Sequence, residues 1–151
     1  MSVEEIGTVP RLAAAAIADD IGLLLAKLHA AGSVLNNRAL SAFDLRERSY
    51  SVLRLACSGL EPTQRELADF LSLDPSQIVA LIDELEQRGL VVREQGRTDR
   101  RQKIVLATAA GERVHAEAEA AVKECEAEVL GGLTAAEVAT LRELLRTALW
   151  G

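Results

Sequence analysis

The side chains best suited to chemistry with a polyanion lie in one short stretch of this 151-residue chain. Residues 93 to 103 include five basic residues and two acidic ones, and the basic ones are Arg93, Arg97, Arg100, Arg101 and Lys103. The net charge of the whole chain is −6, but phosphate binding depends on the local patch, and an acidic remainder can orient the protein. We expect this stretch to contact nucleic-acid phosphates. A solvated hairpin without a ligand is the alternative.

The elements that must position these cations are a helix and a β-hairpin. Asp74-Pro75 is a helix start, with a capping residue followed by proline at the first helical position. Gly89 is the natural stop of that helix. Val91–Glu94 and Lys103–Leu106 are predicted to be short strands, with Gly96 in the turn between them. A helix followed by a basic hairpin is the arrangement of a winged helix that reads DNA.

One face of this helix is predicted to be exposed to DNA. Its apolar stripe comprises Ile78, Leu81, Ile82 and Leu85. The opposite face carries Ser76, Ala80, Asp83 and Gln87, with Gln77 and Val79 at its flanks. We expect Gln77 to read an adenine edge in bidentate fashion and Ser76 to bind a base or a phosphate. An ordinary surface role is the alternative for each of these side chains.

Asp83 needs a cationic partner, because an unpaired acid facing DNA would repel phosphate. We expect Arg101, just beyond the hairpin turn, to pair with Asp83 and to fix the angle of the wing. Arg97 and Arg100 would then be available to the minor groove or its phosphates, where the local potential favours arginine.

The remaining periodicity predicts five more helices. The first runs from about Pro10, with Thr8 as its cap, to about Leu35, before Asn36-Asn37. The second runs from about Arg46 to Ser58, and Thr63 with Glu66 forms a capping box for a short third helix. Two long helices follow the hairpin, one from Thr108 to about Leu130 and one capped by Thr134 and ending near Leu149.

These elements predict a mainly α fold with a small β-hairpin wing, a winged helix-turn-helix with N- and C-terminal dimerisation helices. We expect a single domain over 1–151, with a DNA-binding lobe over 45–111 and dimerisation helices over 9–36 and 108–149. The outer helices carry apolar stripes that one winged helix could not cover, which favours a homodimer.

The sequence disfavours an enzyme, a metal site and a cofactor. His29 and His115 are the only histidines, neither has ligands at metal spacing, and there is no phosphate loop or nucleophile elbow. No apolar run approaches the ~18 residues of a membrane span, and Glu4-Glu5 does not suit a signal peptide. Cys57 and Cys125 suit reduced thiols, so we expect a cytoplasmic protein.

Several motifs together resemble the MarR family of transcriptional regulators. They are Thr63-Gln64-x-Glu66-Leu67-Ala68, Asp83-x-Leu85-x-x-x-Gly89-Leu90-Val91, Asp99-x-Arg101 and Ala107-Thr108-x-x-Gly111. The resemblance covers roughly residues 45 to 149. It departs from the family pattern at Val79-Ala80, where Thr-Arg is common, and at Ala107, where leucine is common, so the operator preference does not carry over.

The resemblance implies a dimer that represses transcription until a small aromatic or anionic molecule releases it from double-stranded DNA. It adds Thr63 and Gln64 to the candidate DNA contacts and Asp99 to the residues that brace the wing. Position suggests His29, Arg46, Arg48 and Tyr50 as effector-binding residues, with a plain structural role as the alternative for each. Two other functions stay open: a thiol-based redox sensor, and a winged helix that binds protein rather than DNA.

Overall fold

The computed structural model describes residues 9–151. Within that range the chain forms six α-helices and one antiparallel pair of strands, which confirms the predicted fold class. The elements are α1 (Ile21–Leu40), α2 (Glu47–Ala56), α3 (Gln64–Leu71), α4 (Pro75–Gln87), β1 (Val91–Gln95), β2 (Lys103–Ala107), α5 (Ala109–Val129) and α6 (Ala135–Trp150).

The start of the first helix differs from the prediction. Two short 3-10 helices, Arg11–Ala14 and Ala16–Asp19, replace its expected first turns, and the backbone is extended at Ala15 and at Asp20. The predicted start of the helix was wrong because the apolar spacing is continuous through this region. Such spacing does not reveal where the backbone leaves the helical conformation. The proposed cap Thr8 lies outside the described residues.

The end of the first helix also differs, because Asn36 and Asn37 lie inside α1 rather than after it. The Asn36 Nδ2 donates a hydrogen bond to Glu47 Oε1, and the Glu47 backbone N–H donates one to Asn37 Oδ1, both at 3.0 Å. The two amides therefore bond to the first residue of α2 instead of competing for the backbone of their own helix. They tie α1 to α2.

The predicted capping boxes are formed. The Thr63 N–H donates to Glu66 Oε2 at 2.7 Å, and the Glu66 N–H donates to Thr63 Oγ1 at 3.1 Å. Thr134 and Glu137 make the same reciprocal pair at the start of α6. Gly89 follows α4 with a φ of +71°, a left-handed conformation that glycine adopts without strain. These local signals fix the start of α3, the end of α4 and the start of α6.

The core of the lobe lies between α4, α2 and the hairpin. Ile78, Ile82 and Leu85 are fully buried on one side of α4, and Leu53 of α2 is fully buried as well. The strands pair from Val91↔Ala107 to Gln95↔Lys103, each one residue longer than predicted. A bridge between Thr63 and Ile104 attaches the start of α3 to the outer side of β2.

The junction between the hairpin and α5 depends on a close backbone approach. Thr108 caps α5 by accepting a hydrogen bond from the Gly111 N–H at 3.0 Å, and its hydroxyl donates to the Gly89 carbonyl at 2.6 Å. The Thr108 N–H donates to the Leu90 carbonyl at 3.0 Å. A Cβ atom at position 111 would overlap that Leu90 carbonyl. The T-x-x-G spacing is therefore a steric requirement of this junction.

The outer helices leave apolar side chains exposed. They include Ile17, Ile21, Leu24, Leu25, Leu144 and Leu149. Near the end of α6 the Trp150 ring stacks on Phe70 of α3, with ring centroids 6.1 Å apart, and Arg146 lies over the indole. Among residues 9–151, no helix is both long enough and apolar enough to cross a membrane.

Candidate nucleic-acid interface

The expected reading face of α4 is exposed. Ser76, Val79, Ala80 and Gln87 all lie on the solvent side, opposite the buried Ile78 stripe. None of these four side chains carries a charge, so this part of the face can offer donors, acceptors and apolar contacts to base edges but no cation to phosphate.

Gln77 is exposed but already has a local partner. Its Oε1 accepts a hydrogen bond from the Asp74 N–H at 3.1 Å, which closes the capping box at the start of α4. A bidentate contact to adenine needs both the oxygen and the NH₂ group of the amide. Gln77 must therefore leave the cap before it can read adenine as expected.

The partner of Asp83 is Arg93, and the expected pair with Arg101 is wrong. The Arg93 Nη2 donates to Asp83 Oδ1 at 2.6 Å, and its Nη1 donates to Glu86 Oε1 at 2.9 Å. The same guanidinium also donates to Gln64 Oε1 in α3 and to the Val79 carbonyl in α4. One arginine thus ties β1 to both helices of the helix-turn-helix.

The alternation of side chains in β1 explains this difference. Successive residues of a strand point to opposite faces, so Arg93 shares the inward face of the buried Val91. Its side chain is only 16% exposed. We expected Arg93 to contact DNA, but its location makes it a brace. The strand alternation was visible in the sequence and could have indicated this role.

Arg101 instead stays within the hairpin turn, where Asp99 provides its partner. The Asp99 Oδ1 accepts a hydrogen bond from the Arg101 N–H at 3.0 Å and one from its Nε at 3.3 Å. The side chain of Arg101 is 92% exposed. Asp99 therefore braces the turn as expected, whereas Arg101 is a cation presented to solvent. Arg100 and Lys103 are exposed beside it.

Arg97 is paired, although we expected it to be available. Its Nε donates to both carboxylate oxygens of Glu61 at 2.9 Å, and its Nη2 lies 2.9 Å from Glu61 Oε1. The hydrogen bond from Arg97 lowers the pKa of Glu61. The same bond raises the pKa of Arg97. No sequence motif indicates that Glu61 belongs to this surface, since it lies 36 residues away from Arg97 along the chain.

The side chains of Thr63 and Gln64 already make hydrogen bonds within the protein. Thr63 caps α3, and Gln64 accepts the hydrogen bond from Arg93. They lie at the base of the helix-turn-helix unit, where they fix its geometry.

The structure does not gather the four candidate effector residues into one site. His29 and Arg48 line a cavity of about 380 Å³ between α1, α2 and the end of α3. Arg46 and Arg48 line a second, larger one of about 720 Å³ beside α4. Tyr50 faces neither, because it is buried and stacks on His115 of α5, with ring centroids 6.1 Å apart.

A further cavity of about 390 Å³ lies between α1, α5 and α6. Its walls are mostly apolar and include Leu28, Cys125, Val129 and Leu145. It opens beside the exposed apolar side chains of α1 and α6.

The two thiols lie in surroundings that oppose thiolate formation. Burial, with Glu112 nearby, raises the pKa of Cys57. Burial also raises the pKa of Cys125, and Glu128 and Glu124 add to the effect. Because the thiolate is the reactive form, both environments disfavour oxidation chemistry. In the part of the chain that the structure describes, no cluster of His, Cys, Asp and Glu could hold a metal ion.

Comparison with known proteins identifies the family. Residues 43–102 match the model of the MarR family. A MarR-family transcriptional regulator from Rhodococcus sp. RHA1 is 41% identical, with a TM-score of 0.85 over 91% of this chain and 97% of that one. CouR from Rhodococcus jostii RHA1, solved bound to p-coumaroyl-CoA, is 42% identical, with a TM-score of 0.81 over 91% and 96%.

The fold is also similar to that of a protein solved on DNA. A mutant of MarR from E. coli, complexed with operator DNA, is 27% identical, with a TM-score of 0.75 over 93% of this chain and 99% of that one. The exposed face of α4 and the basic hairpin fit the same conclusion as these similarities, namely that the fold is that of a DNA-binding regulator. The chain belongs to the MarR family of transcriptional regulators, which are DNA-binding proteins and not enzymes.

Proposed function

We propose that this protein is a homodimeric repressor of a pseudo-palindromic operator, released from DNA by a small aromatic or anionic ligand. The observation that carries the DNA-binding part is the Arg93 brace. Because Arg93 joins α3, α4 and β1, the reading helix and the wing behave as one rigid unit. A rigid unit can place α4 in the major groove and the wing over the neighbouring minor groove.

The division of roles follows from charge. Ser76, Gln77, Val79, Ala80 and Gln87 would contact base edges, with Val79 and Ala80 suited to thymine methyl groups. The wing residues Arg97, Arg100, Arg101 and Lys103 would supply the phosphate and minor-groove contacts.

The homodimer is supported by the apolar side chains that α1 and α6 expose. Leu144 is 64% exposed and Leu149 is 68% exposed, although both lie on the apolar stripe of α6. A soluble monomer rarely exposes a large contiguous apolar patch. A second copy would cover these helices by two-fold symmetry, which places two reading helices about one helical turn apart on DNA.

The effector part of the proposal rests on the cavity between α1, α2 and α3. It lies between α1, a proposed dimerisation helix, and the unit that Arg93 forms from α3, α4 and β1. His29 and Arg48 are its basic side chains. The 42% identity with CouR suggests an aromatic acid or its coenzyme A thioester as the ligand. The exposed Arg46 and Arg48 suit an anionic group at the surface. Tyr50 lies outside this site, because it is buried against His115.

A binding selection tests the proposal. Wild-type protein is used to enrich duplexes from a random pool, and the enriched duplex is titrated in gel shifts with and without p-coumaroyl-CoA or p-coumarate. We expect an inverted repeat, and weaker binding when ligand is present. Failure to enrich any sequence would favour a protein-binding winged helix. Release by mild peroxide, but by neither aromatic compound, would favour the redox-sensing alternative.

A further inference from the structure

The ion pair between Glu61 and Arg97 has a particular geometry. Glu61 accepts hydrogen bonds along the Nε side of the guanidinium, with both Nε contacts at 2.9 Å and the Nη2 contact at 2.9 Å. The Nη1 group makes no hydrogen bond or ion pair with any residue of 9–151. The side chain of Arg97 remains 65% exposed. The carboxylate thus holds one edge of the guanidinium and leaves its outer end facing solvent.

The backbone around Glu61 is fixed at the side of the wing. The next residue, Pro62, accepts a hydrogen bond from the Val105 N–H at 2.9 Å, and Thr63 forms a bridge with Ile104. Glu61 itself has a φ of +53°, a conformation that costs free energy in a residue other than glycine. Strain of this kind at a half-buried surface residue that bears a bidentate contact points to a role beyond packing.

We propose that Glu61 is a positioning residue that aims Arg97 at the minor groove. A free arginine side chain samples many rotamers, and ordering it on DNA opposes binding. Glu61 orders that side chain before DNA binds. It holds the guanidinium by Nε and Nη2, which leaves Nη1 to contact the groove. The inference rests on the proposed contact between Arg97 and DNA, and it predicts that the pair persists in the complex.

Positioning and simple charge shielding predict opposite results. If Glu61 only neutralised Arg97, removing its charge would strengthen binding to every DNA. If Glu61 aims Arg97, removing its charge weakens binding to the operator, where a fixed orientation matters. Binding to random DNA, which responds mainly to net charge, would then become slightly stronger.

The experiment uses the full-length protein and two duplexes of equal length, one selected by the wild type from a random pool and one scrambled. Glu61→Gln is compared with Glu94→Gln, which removes the same charge from an exposed residue of β1 that lies near Arg97 without an ion pair to it. Arg97→Gln and the Glu61→Gln/Arg97→Gln double variant complete a double-mutant cycle. Thermal unfolding of each variant verifies the fold.

We expect Glu61→Gln to lower the selectivity for the selected duplex by about two- to five-fold, the range of a single exposed ion pair. Glu94→Gln should leave selectivity unchanged, and the effect of Glu61→Gln should vanish in the Arg97→Gln background. Equal strengthening on both duplexes, as for Glu94→Gln, would overturn the positioning role but not the DNA-binding function. Wild-type affinity in Arg97→Gln alone would overturn the inference together with the contact it rests on.

Discussion

The guanidinium of Arg93 lies 2.6 Å from Asp83, and this pair joins the wing to the exposed side of the reading helix. Asp83 is 53% exposed and Glu86, the second acid held by Arg93, is 41% exposed, while Arg93 itself is largely covered. The arginine therefore neutralises two acids beside the exposed face of α4, the face that we propose contacts DNA, and it reaches them from the buried side.

Arg93→Gln should weaken operator binding about tenfold, which corresponds to about 1.4 kcal/mol. The variant leaves two uncompensated carboxylates near phosphate and removes the link between β1 and α4. Gel-shift titration measures the change, and Arg113→Gln on the exposed side of α5 is the control for lost charge. An equal loss of affinity in both variants would show that Arg93 acts only through net charge.

Gly111→Ala should lower the free energy of unfolding by about 2 kcal/mol or more, because the new methyl group would overlap the Leu90 carbonyl. The start of α5 would then have to move away from the backbone at Leu90, just before β1. Gly22→Ala in α1 is the matched control, since nothing lies within 4 Å of its added Cβ. That control should be neutral or slightly stabilising, because alanine favours helix over glycine. Urea unfolding measures both, and equal stabilities would contradict the steric account.

Leu144→Arg should convert the dimer to monomer, because it places a charge within the apolar surface of α6. Sedimentation at micromolar concentration should give about 32 kDa for the wild type, twice the 16.2 kDa of one chain. The neighbouring exchange Glu143→Arg, on an exposed residue outside the apolar stripe, should leave the dimer intact. A folded wild-type protein that sediments as a monomer would refute the dimer.

Glu119 should contribute to stability at neutral pH and lose that contribution in acid. Its pKa is lowered, chiefly by the hydrogen bond from Lys123 and also by the charges of Lys123, Arg54 and His115. A carboxyl whose folded-state pKa lies below its unfolded value stabilises the fold above the unfolded value, and the effect disappears as pH falls through the folded-state pKa.

The test compares the free energy of unfolding of wild type and Glu119→Gln in urea over a range of pH. The difference should be largest near neutral pH and should vanish in strongly acidic solution. Glu117→Gln on the same helix, exposed to solvent, is the control. A difference that does not change with pH would refute this role of Glu119.

Local signals in the sequence predicted most of the fold. The T-x-x-E pairs at Thr63 and Thr134 and the glycine at position 89 each act over a few residues, so the end of a helix can be read directly from them. The first helix was harder to predict. The apolar stripe from Ile17 to Leu28 shows which side chains share one face, and it says nothing about the extended backbone at Asp20.

The interface was predicted less completely, because its ion pairs join distant parts of the chain. The exposed face of α4 followed from helical periodicity, which is local. The choice of Arg93 rather than Arg101 as partner of Asp83 depends on how the hairpin packs against α4. The contact between Glu61 and Arg97 depends on the bridge between Thr63 and Ile104. No motif encodes that bridge.

The stack of Trp150 on Phe70 gives the molecule a built-in optical reporter. Trp150 is the sole tryptophan of the chain, and its ring lies where α6 meets α3. A change in the distance between these helices alters the surroundings of the indole and hence its emission. Movement of α6 relative to α3 can therefore be followed in the native protein, in real time and without a dye.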